Sequence, residues 1–172
     1  LTLSITSCEK DLLEKEQYQK EIYLIGAYNR VWTTEVSYSN EEVKTYFTVS
    51  SSGTLALDRD VNVKMKINEE LVDIYNKKYW TVLNEDKYYK SLDTDLYSIP
   101  SLENTVIKHA EGISTEVPVL IKTASLKIDQ SYVIPVEIES TTGYPVSTSG
   151  YKMLVLLKLK NEYSGSYQMS GH

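Results

Sequence analysis

The chain of 172 residues has one cysteine, one phenylalanine, two histidines and four prolines. A single cysteine excludes an internal disulfide and a zinc site built on several thiolates. Only His109 and His172 could serve in histidine chemistry, and neither has a serine, cysteine or acid near it in sequence that suggests a catalytic partner. Basic residues are outnumbered, 18 Lys and Arg against 24 Asp and Glu, for a formal charge of −6. A protein that neutralises a phosphate backbone needs a basic face, so this balance argues against nucleic acid as a partner. No run of about eighteen apolar residues occurs, so no segment reads as a membrane-spanning helix. The chain also lacks the G-x-S-x-G elbow, HExxH, the P-loop and G-x-G-x-x-G.

What is present is the composition of a folded domain, 41% hydrophobic and 24% charged. The length favours one domain, able to bury a core without disulfides or metals. Fifteen tyrosines stand against the single phenylalanine. Tyrosine favours strands and edges, where the ring packs and the hydroxyl stays wet.

The pattern along the chain is mostly that of strands. EIYLIGAY (21–28), RVWTTEVSYS (30–39) and VKTYFTVSS (43–51) are rich in β-branched and aromatic residues, and SSG closes the third as a turn. VNVKMKI (61–67) alternates, with Val61, Val63, Met65 and Ile67 directed inward. LYSIP (96–100), NTVIKHA (104–110), EVPVLIKT (116–123), SYVIPVEIES (131–140) and YKMLVLLKLK (151–160) follow, the last reading as a central, mostly buried strand. Pro118 and Pro135 lie inside strand patterns and predict edges or bulges, since proline cannot donate to the ladder. One helix is expected over 68–79, with Asn68 as N-cap, acids in its first turn, Lys77 and Lys78 in its last, and one stripe of Leu71, Ile74, Tyr75 and Tyr79. The expected fold is therefore all-β, a sandwich of about seven or eight strands with one inserted helix.

Two carboxylate pairs, Asp58 with Asp60 and Asp93 with Asp95, fall in turn-like stretches where Asp caps its own backbone. A glycosidase needs two carboxylates across a sugar bond, and a calcium site needs several converging oxygens, neither of which spacing alone provides. No catalytic residue, metal site or cofactor is therefore assigned. The aromatic residues are the better candidates for a ligand surface. Trp32 lies mid-strand and reads as core. Trp80 ends the helix, with Tyr88, Tyr89 and Tyr97 close behind it in sequence. Together these four form a candidate glycan-binding patch, or else pack the helix and its following loop onto the sandwich.

Ile5-Thr6-Ser7-Cys8 resembles a bacterial lipobox: an aliphatic residue, two small residues and the cysteine that is lipidated. The resemblance implies that residues 1–8 are the end of a lipoprotein signal peptide and that Cys8 carries the lipid anchor. Glu9-Lys10-Asp11 resembles the acidic surface-export signal of lipoproteins in Bacteroidetes. Residues 9–20 then read as a polar tether.

Three longer segments carry a family resemblance: VNVKMKINEELVDIYNKKY, YKSLDTDLYSIPSLENTVIKHAEG and LKIDQSYVIPVEIESTTGYPVSTSGYKMLVLLKLKN. They resemble the immunoglobulin-like N-terminal domain of surface lipoproteins encoded in Bacteroidetes polysaccharide-utilisation loci, the SusE-like glycan-binding type. The sequence departs from that pattern at Leu83-Asn84, where the family has Leu-Pro, and at Ile134-Pro135, a milder change. The resemblance implies a sandwich over 21–161, with 162–172 as a linker or the start of a truncated second domain. It implies a non-catalytic spacer and display role in polysaccharide capture at the outer membrane, facing the cell exterior beside a SusC/SusD-like pair. Direct glycan binding by this domain, an accessory role to a glycoside hydrolase and an adhesion or fimbrial subunit are the alternatives.

Overall fold

Val61, Val63 and Met65 are buried, while Asn62, Lys64 and Lys66 between them face water. That period of two is what a strand with one buried face requires. It recurs through a computed structural model that describes residues 15–80 and 82–160. The expectations for Cys8, the export signal and residues 162–172 fall outside those residues. The described strands are β1 (Ile22–Leu24), β2 (Val31–Ser37), β3 (Glu42–Ser51), β4 (Val61–Ile67), β5 (Lys90–Ser91), β6 (Tyr97–Ser98), β7 (Thr105–Ile107), β8 (Ser114–Lys122), β9 (Tyr132–Thr141) and β10 (Lys152–Lys160). One α-helix, α1 (Glu70–Tyr79), follows β4.

The strands form two sheets, a four-stranded one in the order β1-β3-β8-β6 and a six-stranded one in the order β2-β10-β9-β4-β7, with β5 added beside β9. Neighbours are antiparallel except β2 with β10 and β5 with β9. The sandwich core lies between the sheets. Phe47, Val49, Val117, Val119 and Ile121 come from the smaller sheet, and Val61, Val63, Met65, Ile134, Val136, Met153 and Val155 from the larger. The chain's one phenylalanine is 1% exposed, at the centre of that layer.

A second, smaller apolar cluster lies on the outer face of the six-stranded sheet. There Leu71 and Val72 of α1 cover Val133 and Leu154. β9 is therefore buried on both faces from Tyr132 to Val136, and so reads as an almost unbroken apolar run. Pro118 sits in β8 beyond the reach of the short β6, which pairs only with Leu120 and Ile121. Pro135 falls in β9 between the stretches paired to β4 and to β5. Both prolines thus occupy places where a ladder N–H has no strand to meet.

Three local expectations are revised. The apolar run 21–28 forms a strand only to Leu24, because Gly26 turns the chain at φ 88°, where a Cβ would lie 2.7 Å from the Trp32 ring. The helix begins at Glu70, and Asn68 precedes it, accepting from the Glu70 N–H at 3.2 Å and donating to Glu137 Oε2 at 2.5 Å. Its buried face is Leu71, Val72 and Asn76, while Ile74 is 51% and Tyr79 47% exposed. Asn76 turns the helix this way: its side-chain amide donates to the Tyr89 carbonyl and accepts from the Tyr89 N–H, both at 2.9 Å.

The sandwich has two distinct ends. Ile22 of β1 pairs with Ser51 at one end of β3, and Ser50 pairs with Ser114 there. Glu42, at the other end of β3, pairs with Lys122. Lys160, the last residue of β10, lies at that second end, where its carbonyl accepts from the Tyr38 N–H. Ile22 and Lys160 thus lie at opposite ends of a body about 30 Å long, given nine steps of roughly 3.4 Å along β3.

At the first end the polar run is fastened. The Glu16 carboxylate accepts from the backbone N–H groups of Thr54, at 2.6 Å, and Leu55, at 3.3 Å, and pairs with Lys20. Lys20 also donates to the Leu55 carbonyl at 2.6 Å, and Ser52 Oγ to the Gln19 carbonyl at 3.1 Å. The Lys20 hydrogen bond, reinforced by the Thr54 N–H, holds the Glu16 carboxyl down to about 2.

Candidate functional site

Between β1 and β2 the chain makes a tight 3-10 turn, Ala27–Asn29, bounded by Gly26 and Arg30. Arg30 has φ 63°, the one positive φ at a non-glycine among the described residues. Left-handed backbone costs an ordinary side chain roughly 1–2 kcal/mol. It is imposed here because the Arg30 N–H donates to the Ala27 carbonyl and the Arg30 carbonyl accepts from the Leu154 N–H, both at 2.8 Å. This turn lifts Tyr28 to the surface, 68% exposed, with its ring 6.3 Å from that of Tyr23.

The turn forms one wall of a groove of about 480 Å³. Leu71, Ile74 and Tyr75 of α1 form the opposite wall, and Met153 and Leu154 of β10 line it from the sheet. Thr148, Ser149, Tyr151 and Lys152 complete the lining with Arg30, and no acidic residue is among them. Lys152 Nζ lies 4.9 Å from the centre of the Tyr151 ring. The volume falls within the roughly 300–1,000 Å³ of small-ligand sites, and the mix of apolar surface with a few polar groups matches them.

The Tyr75 wall is stiffened from behind. Its ring stacks on Tyr89 at 5.2 Å and 11°, and against Tyr79 at 4.4 Å and 34°. Burial, then the neighbouring Tyr89, pushes the Tyr75 phenol up to about 12.

The four aromatic residues singled out from sequence occupy separate settings. Tyr89 is half-buried in the cluster beneath α1, stacked on Tyr75 and tied through its backbone to Asn76. Trp80 is half-buried at the helix end; its Nε1 is shielded without a hydrogen-bond partner, and Lys87 Nζ lies 5.7 Å from its ring centre. Tyr88 is half-buried in the following turn, where its N–H donates to the Glu85 carbonyl. Tyr97 belongs to the other sheet, paired with Ile121 and packed on the main core. Burial, helped by the Glu69 carboxylate, raises its phenol to about 12. The fold thus brings Tyr89 to Tyr75, a residue outside the predicted set, and separates Tyr97 from the rest. Tyr28, Arg30, Tyr151 and Lys152 were not singled out, because the first two and the last two are at least 121 residues apart in sequence and meet only through the pairing of β2 with β10. Their one local signal is the Gly-Ala-Tyr-Asn-Arg stretch, a turn composition inside an apolar run.

Trp32 packs against the main core as expected. His109 does have a carboxylate partner: its Nδ1 lies 2.6 Å from Asp60 Oδ1, brought from 49 residues away on an exposed surface. Asp58 is held well below its usual range by Arg59, at 2.9 Å, and by the Tyr144 hydroxyl. Asp93 and Asp95 line an open, polar depression that also contains Lys90 and Lys127. Among the described residues no cluster of three or more His, Cys, Asp or Glu could hold a metal ion, and no helix is long and apolar enough to cross a membrane.

A family model for an N-terminal domain matches residues 18–145. No curated protein matches the chain. Among solved structures, it is similar to a protein of unknown function from Bacteroides ovatus, with 18% identity and a TM-score of 0.66, covering 86% of this chain and 48% of that one. It is similar to a protein described as carbohydrate-binding, also from Bacteroides ovatus, with 18% identity, a TM-score of 0.61 and coverage of 80% and 36%. A third is an endoglycosidase from Bacteroides thetaiotamicron, solved with a Man5GlcNAc product, with 19% identity, a TM-score of 0.56 and coverage of 80% and 30%. The chain thus spans about half the length of these proteins or less, and at these identities the likeness is one of fold.

Proposed function

Because the chain belongs to the family of N-terminal domains whose model spans residues 18–145, we propose that it is the non-catalytic spacer and display module of a longer, glycan-capturing surface lipoprotein. Cys8 carries the lipid, residues 9–20 lead away from the outer membrane, and the sandwich over 21–161 holds a following domain towards the exterior. A SusC/SusD-like pair is the proposed neighbour. The observation that carries this reading is the placement of Ile22 and Lys160 at opposite ends of the sandwich. A module that only decorated a neighbour could bring both ends together. This one separates them by the length of the body, with the incoming side fastened through Glu16 and Ser52. The occurrence of this fold in both a protein described as carbohydrate-binding and an endoglycosidase supports the same reading, since what such chains share is not their chemistry.

The test is deletion of residues 21–160 from the full-length protein, with Cys8 and everything after residue 160 retained. Capture of a neutral polysaccharide by whole cells should fall, while binding of the same polymer by the purified remainder stays as it was. Unchanged capture by cells would contradict the spacer role. Separately, Cys8→Ala should move the protein from the membrane pellet to the soluble fraction; continued pelleting would contradict the lipid anchor.

A further inference from the structure

We infer that the groove between α1 and the Gly26–Arg30 turn binds an anionic saccharide chain, a sugar polymer bearing carboxylates or sulfates. The inference goes beyond the display role and does not depend on it. Loss of groove binding would leave display intact, and failure of display would leave a purified protein that still binds.

The chemistry comes from the lining. Sugar rings present C–H faces that pack on aromatic and aliphatic surface, and hydroxyls that need donors and acceptors. The groove offers the first through Tyr28, Tyr151 and Ile74, and the second through Thr148 and Ser149. Its two charged residues, Arg30 and Lys152, are both cations. In a chain of net charge −6, a groove lined by cations and no carboxylate is a local reversal of sign that draws anions. Two cations are too few to track a nucleic-acid backbone. The chain has two arginines, and they are used differently. Arg59 is satisfied by Asp58 through two hydrogen bonds, whereas Arg30 has no ion pair among the described residues. A guanidinium fork matches a carboxylate or sulfate edge, and its root is fixed here by the two backbone hydrogen bonds of the left-handed residue. Lys152 keeps its ammonium at the Tyr151 ring, so a sugar packed beside that ring brings its acidic group within reach of Nζ. Strained backbone at a surface turn persists where the surroundings enforce it and is concentrated at ligand sites.

The experiment is calorimetric titration of the full-length protein with polygalacturonate, fully methyl-esterified polygalacturonate, dextran sulfate and polyglutamate. Saturable binding to polygalacturonate or dextran sulfate is expected, the two arms separating carboxylate from sulfate recognition. Binding should weaken with added salt. It should drop about tenfold in Arg30→Asn, which keeps a residue tolerant of positive φ, and less in Lys152→Gln. Tyr28→Ala, at an exposed position, should weaken it without changing the melting temperature. The inference is overturned if neither polyanion binds, if the esterified polymer binds equally well, if polyglutamate binds as tightly as the sugars, or if binding survives Arg30→Asn and Tyr28→Ala in protein that is folded by circular dichroism.

Discussion

The inner face of the six-stranded sheet lies under a second sheet, whereas its outer face lies under a single ten-residue helix. A helix of that length covers about 15 Å, and six strands at about 4.8 Å spacing are wider than that. The inner face is therefore sealed along its length by side chains that are almost all fully buried. The outer face is sealed only over β9 and the start of β10. Beyond the helix on one side the sheet is polar, with Lys64 paired to Glu139 at 2.7 Å and Lys66 near Glu137 at 3.7 Å. On the other side the helix stops short of the β1–β2 turn, and the groove is the gap between them. Stability is concentrated on the face that two sheets close, and surface open to a ligand is left on the face that one helix closes.

Substitutions should separate the two faces. Phe47→Ala, at the centre of the inner layer, should cost about 3–5 kcal/mol in chemical denaturation. Leu71→Ala, beneath the helix, should cost about 2 kcal/mol, because the helix can settle onto the sheet. A cost equal to that of Phe47→Ala would make the helix as integral as the second sheet. Asn76→Ala removes both hydrogen bonds to Tyr89 and should cost about 1–3 kcal/mol. It should also loosen the Tyr75–Tyr89 stack, read as a changed near-ultraviolet dichroism.

Alkali offers a comparison without mutation. The phenols of Tyr75, by the groove, and Tyr97, on the inner core, both rise to about 12 from an ordinary 10. The folded state thus favours the neutral phenol at both sites. Their contribution is complete below pH 10 and is lost as pH rises towards 12. Unfolding followed against pH should show stability falling in that window, and Tyr97→Phe should shrink the fall. A flat profile would contradict the burial assigned to both rings. Smallest of all, Tyr28→Ala should change stability by no more than about 0.5 kcal/mol.

Much of the inner face was legible in the sequence. The alternation of VNVKMKI and the apolar run MLVLL within YKMLVLLKLK gave β4 and β10 nearly to the residue, and the two prolines marked gaps in the ladders. These are local periodicities, and burial on one face or two writes them directly into the chain. The outer face was less legible. The stripe read from the sequence was Leu71, Ile74, Tyr75 and Tyr79, but a buried asparagine bonded to a distant backbone rotates the helix so that Val72 and Asn76 are buried beside Leu71 while Ile74 and Tyr79 are exposed. Apolar periodicity cannot register a polar residue as an anchor. The groove was hidden for a similar reason: it joins a turn near residue 28 to a strand start near residue 152, and only sheet pairing makes them neighbours. The aromatic cluster near Trp80 was conspicuous because its members are close in sequence, yet the fold spreads them over the helix end, the following turn, the cluster beneath the helix and the smaller sheet.

The central claim is that the sandwich holds its incoming and outgoing ends apart as a rigid body. Spin labels at Thr54→Cys and Glu41→Cys, at opposite ends of β3, would report this in the full-length protein, reconstituted into lipid vesicles and in detergent. The account predicts one narrow distance distribution near about 30 Å, the same in the membrane as in detergent. A broad distribution, or a markedly shorter distance on the membrane, would contradict a rigid spacer.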